Sequence, residues 1–376
     1  NGFSESECSI RAEEARQNYA AMRVAGHLTV PGVEIEDWLD SGQCRDCFIP
    51  SFNYRPAGSA QYGLAISNFD QNKPIRFNFG FIASSDNHRA RPGTGYKEIN
   101  RFVTTEANGP SDEFIGDILY PVEQPTDRSI DLREQPLLGL RTGFGSFEAE
   151  REASFFTTGG LAAVHSSGRD RNSIWEGLRN KETYGTSGDR ILLWFDLVQG
   201  ETSSPMGSTV TQTSNPVFRI KAVGAFEQKP GCPDYSATNI TQEHLERICK
   251  NECYNPSDRR KNISKIEVVK ITPQITQNEP LESLIKDTWK TFECKPSQEG
   301  CEVEFYDPEF QSEGRDSIYY VRAIQEATQA INGKNFFTES NEFKLCKGSF
   351  KTVLTDDCLS ATNERAWSSP IYLNKP

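Results

Sequence analysis

Apolar positions follow a helical period at the start of the chain and form short strand-like runs further on. Between Ser4 and Gly26 they recur at helical spacing, and Ser4 stands in capping-box relation to Glu7, which predicts an amphipathic helix. The segment 75–85 (IRFNFGFIASS) is rich in β-formers, and its apolar run predicts a strand buried on both faces, as in parallel sheets. An apolar run at 159–164, a turn and a helix at 172–181 predict a strand–loop–helix unit of α/β type.

After residue 188 the pattern changes to short strands separated by turn-rich loops, with one predicted helix at 241–250. Such spacing is typical of a β-sandwich. We therefore predict an α/β part over 1–200, followed by an all-β, cysteine-rich and sandwich-like domain over 201–376, with the boundary near residue 200. The predicted strands of the second part are 191–198, 217–225, 263–271, 301–306, 317–324 and 366–373.

Composition narrows the class of protein without defining a function. The chain has 376 residues, 36% hydrophobic and 25% charged, which is typical of a globular protein with a sizeable core. Its net charge of -12 disfavours a nucleic-acid partner. No run approaches the roughly 18 apolar residues of a membrane span, and the first residues lack the features of a signal peptide. We expect a processed or truncated chain with no membrane span.

The ten cysteines indicate the compartment. An even count, with seven of them in the last 150 residues, predicts disulfides formed in an oxidising environment. A secreted or periplasmic location follows. Zinc is the alternative, because Cys44 and Cys47, and likewise Cys249 and Cys253, have short ligand-like spacings. No cysteine or histidine pair follows either one at the usual distance, so disulfides are favoured.

Asp86 and His88 are the candidate metal ligands. They stand two residues apart where the predicted strand at 75–85 ends, so in extended chain both side chains would project to one face. A carboxylate oxygen with an imidazole nitrogen suits zinc, manganese or iron. The loop that follows carries Arg89 and Arg91, which could hold an anionic substrate over the metal. Asp-x-His alone is a weak pattern, and a solvated surface turn is the alternative.

His165 is the candidate catalytic residue. It follows the apolar run at 159–164, so it could reach the same edge as a ligand or as a proton donor to a leaving group. A histidine that ends a strand is as often only hydrogen-bonded, and that alternative stays open. Serine nucleophiles are disfavoured because no Gly-x-Ser-x-Gly elbow is present.

Several short motifs resemble the family called domain of unknown function 3604, which is similar to the PHP (polymerase and histidinol phosphatase) superfamily of metal-dependent hydrolases. The resemblance covers most of the chain. The motifs that carry it are 79–88 (FGFIASSDNH), 159–161 (GGL), 174–178 (IWEGL), 182–188 (ETYGTSG) and 367–371 (WSSPI).

The resemblance implies a distorted β/α barrel in which Asp86 and His88 bind metal as the last of several motifs. The earlier His-x-His motif is absent, since the four histidines are His27, His88, His165 and His244. Either a second chain or a cleaved N-terminal segment completes the barrel, or the chain is a degenerate, inactive relative. The first alternative is favoured.

We therefore expect a metal-dependent hydrolase of PHP type, first of all a phosphoesterase. It would use water activated by two or more divalent ions, and it would act on a small anionic substrate. The alternative is a non-catalytic exported binding or structural protein that kept the scaffold but lost the metal set.

Overall fold

The structure is a computed structural model that describes residues 2–12, 14, 59–71, 73–83, 128, 160–249, 251–331 and 359–376. Strands dominate this part of the chain. They are β1 (Ser67–Asn68), β2 (Ile75–Arg76), β3 (Leu161–Val164), β4 (Thr183–Thr186), β5 (Leu192–Gln199), β6 (Thr202–Pro205), β7 (Thr209–Thr211), β8 (Val217–Val223), β9 (Phe226–Gln228), β10 (Pro256–Arg260), β11 (Ile263–Ile271), β12 (Ile285–Glu293), β13 (Cys301–Tyr306), β14 (Ser317–Ile331), β15 (Leu359–Ser368) and β16 (Ile371–Asn374). The helices are α1 (Ala60–Ala65), α2 (Arg171–Arg179), α3 (Ser236–Asn239), α4 (Gln242–Cys249) and α5 (Phe310–Glu313), with a 3-10 turn at Leu281–Leu284.

Two open sheets form the body of the described chain. The larger has eight strands, ordered β12-β11-β14-β15-β4-β3, with β16 beside β14 and β7 beside β16. The smaller has the order β13-β8-β5-β6. Among the described strands every pairing is antiparallel except that of β16 with β7. The described part is therefore a mixed α/β structure made mostly of strands.

The main hydrophobic core combines side chains of both large sheets. Along β5 every second residue is buried, because one face of that strand looks into the core. Phe218 of the smaller sheet meets Tyr319 of the larger with ring centroids 4.7 Å apart. The other face of the larger sheet carries a second cluster, in which Leu64 of α1 packs with Tyr320 and Phe81. β11 lies between the two clusters and is buried along most of its length.

The buried strand predicted over 75–85 is wrong in its extent and its burial. Of the described residues 75–83, only Ile75–Arg76 pair as a strand, and residues 77–83 continue outside any sheet. Phe77 is 60% exposed and Ile82 67% exposed. The apolar run has another cause: Phe79 and Phe81 pack onto the outer face of the larger sheet.

The strand and helix predicted near 159–181 are confirmed as β3 and α2, but they do not form a parallel unit. Lys181 has a left-handed φ of 63°, and the amide of Glu182 donates to the carbonyl of Gly177 at 2.9 Å. This tight turn sends β4 back antiparallel to β3. Trp175 of the helix is 62% exposed. The described residues form no closed barrel, contrary to what the resemblance implied.

The larger sheet also bears on the predicted division of the chain. β3 and β4 precede residue 200 and share a sheet with β11, β14 and β15, which follow it. The domain boundary itself stays a prediction.

At the N-terminus, residues 5–12 are helical, and the amide of Glu7 donates to the Ser4 hydroxyl at 3.2 Å, so the predicted cap is confirmed.

The predicted disulfides are confirmed in part. Cys232 bonds to Cys253 and Cys294 to Cys301 within the described residues. Disulfides persist in oxidising compartments, so the protein is extracytoplasmic. None of the helices in the described segments is long and apolar enough to cross a membrane. Cys44 and Cys47 lie outside the described residues.

A buried ion cluster lies within the core. The Lys270 side chain is fully buried, and its Nζ lies 2.7 Å from Oδ2 of Asp307 and 2.6 Å from Oε2 of Glu313. The Tyr319 hydroxyl donates to Asp307 at 2.6 Å. Burial raises the pKa of Asp307, but hydrogen bonds from Lys270, Tyr319 and a backbone amide offset this and hold the pKa below its usual range. Asp307 is therefore a buried carboxylate.

Candidate functional site

The extended segment 77–83 crosses the outer face of the larger sheet without pairing as a strand. Its backbone forms hydrogen bonds with side-chain hydroxyls instead of with a neighbouring strand. The amide of Phe79 donates to the Tyr372 hydroxyl at 2.9 Å, and that hydroxyl donates to the Phe79 carbonyl at 2.7 Å. Two residues on, the amide of Phe81 donates to Oγ of Ser369 at 2.8 Å. This arrangement satisfies backbone groups that an extended chain otherwise leaves unpaired.

Ser369 ties three segments together at this point. Its side chain is fully buried, and its Oγ lies 2.9 Å from Oγ1 of Thr183 on β4. Its own amide donates to the Thr183 carbonyl at 3.0 Å. Trp367 pairs directly with Gly185 in the β15–β4 ladder. The motif segments 79–83, 183–186 and 367–371 therefore meet at one junction.

Two glycines allow this close approach. A Cβ on Gly185 would lie 2.3 Å from the Cβ of Ala83, and a Cβ on Gly80 would lie 2.7 Å from the Cβ of Lys181. Both separations are too short for carbon atoms. The segment 77–83 can lie this close to β4 only because these two positions lack side chains.

Beside the junction the surface opens into a groove of about 450 Å³. Its lining is mostly aromatic and apolar. The polar group of interest is the amide of Gln61, which donates to the Tyr320 hydroxyl at 2.7 Å and also contacts Asp287. Such a surface can bind a flat or apolar group and offers few polar contacts. The lining residues are Ser59, Ala60, Gln61, Phe79, Gly80, Phe81, Ile82, Ala83, Gly185, Tyr320 and Trp367.

His165 follows β3, as predicted, and its side chain is held in a half-buried position. Its Nε2 lies 2.8 Å from the carbonyl of Leu193, and its ring packs between those of Tyr184 and Trp194. A carbonyl only accepts, so this contact places a proton on Nε2. Nδ1 is then the atom through which His165 would bind metal or exchange a proton. The hydrogen bond that the sequence left open is therefore present, and the catalytic role of His165 stays a prediction.

Asp196 accompanies His165 on the outer side of β5 and was not predicted as a site residue. Burial raises its pKa, while the nearby charges of His165 and Arg219 lower it. No sequence motif marks this carboxylate. It is near His165 because the side chain of His165, which follows β3 of the larger sheet, contacts Leu193 and Trp194 of β5 in the smaller sheet.

The remaining predicted site residues, Asp86, His88, Arg89 and Arg91, lie outside the described residues. In sequence, Asp86 follows Ala83 by three positions, and Ala83 lines the groove. Within the described segments, one cluster of metal-type ligands is close enough for a shared ion, formed by the sulfurs of Cys232, Cys249 and Cys253. Two of these sulfurs are joined as a disulfide, so this cluster is not a hydrolytic metal centre.

The fold and the junction define an extracytoplasmic, disulfide-bonded α/β protein whose strands form open sheets. The chain belongs to the family described as protein of unknown function (DUF3604), whose model matches residues 53–375. The match confirms the family named from the motifs. No curated protein and no solved structure matches the chain. The match supports this family alone, and its similarity to the PHP superfamily stays a prediction.

Proposed function

We propose that the protein is a metal-dependent hydrolase of PHP type that acts on a small anionic substrate, with phosphoesters as the first bond class to test. One observation carries the proposal. The family motifs converge on an open groove, and the Asp86-x-His88 motif continues the very segment, 77–83, that forms one side of it. Candidate ligands and a binding surface are thus joined by a short length of chain.

In this proposal Asp86 and His88 hold the ion, and Arg89 and Arg91 offset the negative charge of the substrate. A divalent zinc, manganese or iron ion, two or more in the complete site, supplies an activated water when bound. Two side chains are fewer than the three or more protein ligands usual in a catalytic site. We propose that further ligands come from a second chain or a cleaved N-terminal segment, or from His165 through Nδ1.

The test is metal content with matched activity. Native protein is purified without chelators, its metals are measured by elemental mass spectrometry, and hydrolysis of nitrophenyl phosphate mono- and diesters is assayed. We expect two or more equivalents of zinc, manganese or iron, lost together with activity in Asp86→Asn and His88→Gln. His244→Gln is the matched control, since His244 is exposed on α4. Native protein with neither metal nor hydrolysis would overturn the proposal.

A second candidate function is non-catalytic binding by an exported protein. The apolar, aromatic lining of the groove favours it, because such a lining binds ligands without supplying reactive groups. The binding of a flat or apolar ligand can be followed by the quenching of tryptophan fluorescence. Binding that is weakened by Trp367→Ala and unchanged in Asp86→Asn would support this function. Turnover lost in Asp86→Asn would favour the hydrolase. We propose that the protein is either secreted or periplasmic.

A further inference from the structure

A buried thiol lies against a disulfide at the end of α4. Cys249 is the last residue of the helix and carries a free thiol that is 8% exposed. Its Sγ lies 3.3 Å from Sγ of Cys253 and 3.8 Å from Sγ of Cys232, and these two form the bridge. Three sulfurs therefore share one small volume, although only two are bonded.

We propose that Cys232, Cys249 and Cys253 form a thiol–disulfide exchange site in which the bridge at Cys253 moves from Cys232 to Cys249. The thiolate of Cys249 attacks Sγ of Cys253, and a new S–S bond forms. The Cys232–Cys253 bond breaks, and its electron pair leaves on Cys232, which takes up the proton lost by Cys249. The exchange needs no external oxidant or reductant.

The resting geometry explains why one pairing is held. Cys249 lies at similar distances from both bridge sulfurs, so it stands beside the bond and not on its axis. Its thiol also donates to the Leu245 carbonyl at 3.0 Å within the helix. Exchange therefore requires the Cys249 side chain to rotate out of that hydrogen bond. Opening of the last turn of α4 would permit the rotation.

The local fold does not depend on the bridge alone. The amide of Gly231 donates to the Glu252 carboxylate at 2.9 Å, and the amide group of Asn255 donates to the Pro230 carbonyl at 3.0 Å. These bonds hold the Cys232 loop to the segment after α4 in either pairing. The exchange replaces a bridge that spans 21 residues by one that spans four, and it moves the thiol from buried Cys249 to half-buried Cys232.

Tryptic mapping of the full-length, non-reduced protein distinguishes the two pairings. The protein is incubated near the ordinary pKa of a thiol, quenched in acid, denatured and alkylated before digestion. Cleavage at Arg247, Lys250 and Arg259 separates Cys249 and Cys253 onto the peptides 248–250 and 251–259. We expect two forms of peptide 251–259, one linked to the Cys232 peptide and one linked to 248–250, with alkylated Cys232 accompanying the second.

Variants identify the attacking thiol. In Cys249→Ala and Cys249→Ser, alkylation of Cys232 should be lost, while the Cys232–Cys253 peptide remains. Cys8→Ala is the matched control, because Cys8 is a free thiol that is exposed. The Cys294–Cys301 disulfide serves as an internal control within the same protein. The exchange is refuted if wild-type protein shows alkylation at Cys249 and never at Cys232, or if Cys8→Ala abolishes the second pairing.

Discussion

The buried ammonium of Lys270 offers a sharp test of the core. Replacement by Met keeps most of the side-chain volume and removes the charge that neutralises Asp307. Asp307 is also fully buried, and would keep only the Tyr319 hydroxyl at 2.6 Å and the Glu309 amide at 2.8 Å as donors. We expect Lys270→Met to be strongly destabilising.

The magnitude follows from the burial of both partners. Removing one member of a buried ion pair typically costs about 3–5 kcal/mol, because the other charge is left without compensation. With an unfolding slope of about 3 kcal/mol per molar urea, the midpoint should fall by roughly 1–2 M. The double variant Lys270→Met with Asp307→Asn should recover about 2 kcal/mol or more of this loss, since the stranded charge is gone.

Equilibrium unfolding in urea without reductant, followed by tryptophan fluorescence, measures both values. Lys286→Met is the matched control, because that ammonium is 42% exposed and lies 3.7 Å from Glu313, so its loss should cost under about 1 kcal/mol. If Lys270→Met is no more destabilising than Lys286→Met, the cluster does not behave as a buried, neutralised pair and the reasoning fails.

Three further predictions concern the junction and the bridges. Gly185→Ala should lower the free energy of unfolding by about 1–3 kcal/mol, because the new Cβ would push Ala83 away. The control Gly63→Ala should be neutral or stabilising, because its new Cβ would lie 3.8 Å from the Phe79 ring. Equal effects of the two variants in thermal unfolding would contradict this prediction. Burial raises the pKa of Tyr372 to about 12. The unfolded chain ionises this tyrosine near pH 10, so the protein should lose folding stability as the pH rises above about 10. Wild type should lose more stability than Tyr372→Phe in this range, and parallel pH profiles would refute the prediction. Replacing Cys294 and Cys301 together by Ala should cost about 2 kcal/mol, as expected for a short bridged loop; an unchanged urea midpoint would rule this out.

Local patterns predicted the β-rich part well. The strands predicted at 263–271 and 301–306 coincide with β11 and β13. The first is a β-branched, apolar run buried along most of its length, and the second alternates between apolar and charged residues. The run at 366–373 was wrong as one strand, since Ser369 and Pro370 divide it into β15 and β16. Pro370 lacks the amide that a continuous ladder needs.

The segment 77–83 shows what the sequence could not supply. Its composition is that of a buried strand, but its backbone partners are hydroxyls of Tyr372 and Ser369, nearly 300 positions away. The local pattern of apolar residues cannot reveal that side-chain hydroxyls, and not a neighbouring strand, will bind the backbone of this segment. The groove was missed for the same reason: Gln61 and Tyr320 meet only through long-range packing, and neither carries a motif.

The family motifs divide into residues that hold the segment 77–83 in place and residues that would carry chemistry. Gly80, Gly185 and Ser369 belong to the first group, because their small side chains or hydroxyl permit and fix its close approach to β4. We propose that Asp86 and His88 belong to the second group, because a carboxylate and an imidazole are metal-ligand types. The two groups should therefore fail differently: Gly185→Ala should lower stability and activity together, whereas Asp86→Asn should remove metal and activity with the unfolding midpoint of metal-free protein unchanged. Loss of stability in metal-free Asp86→Asn would instead assign the motif to the scaffold.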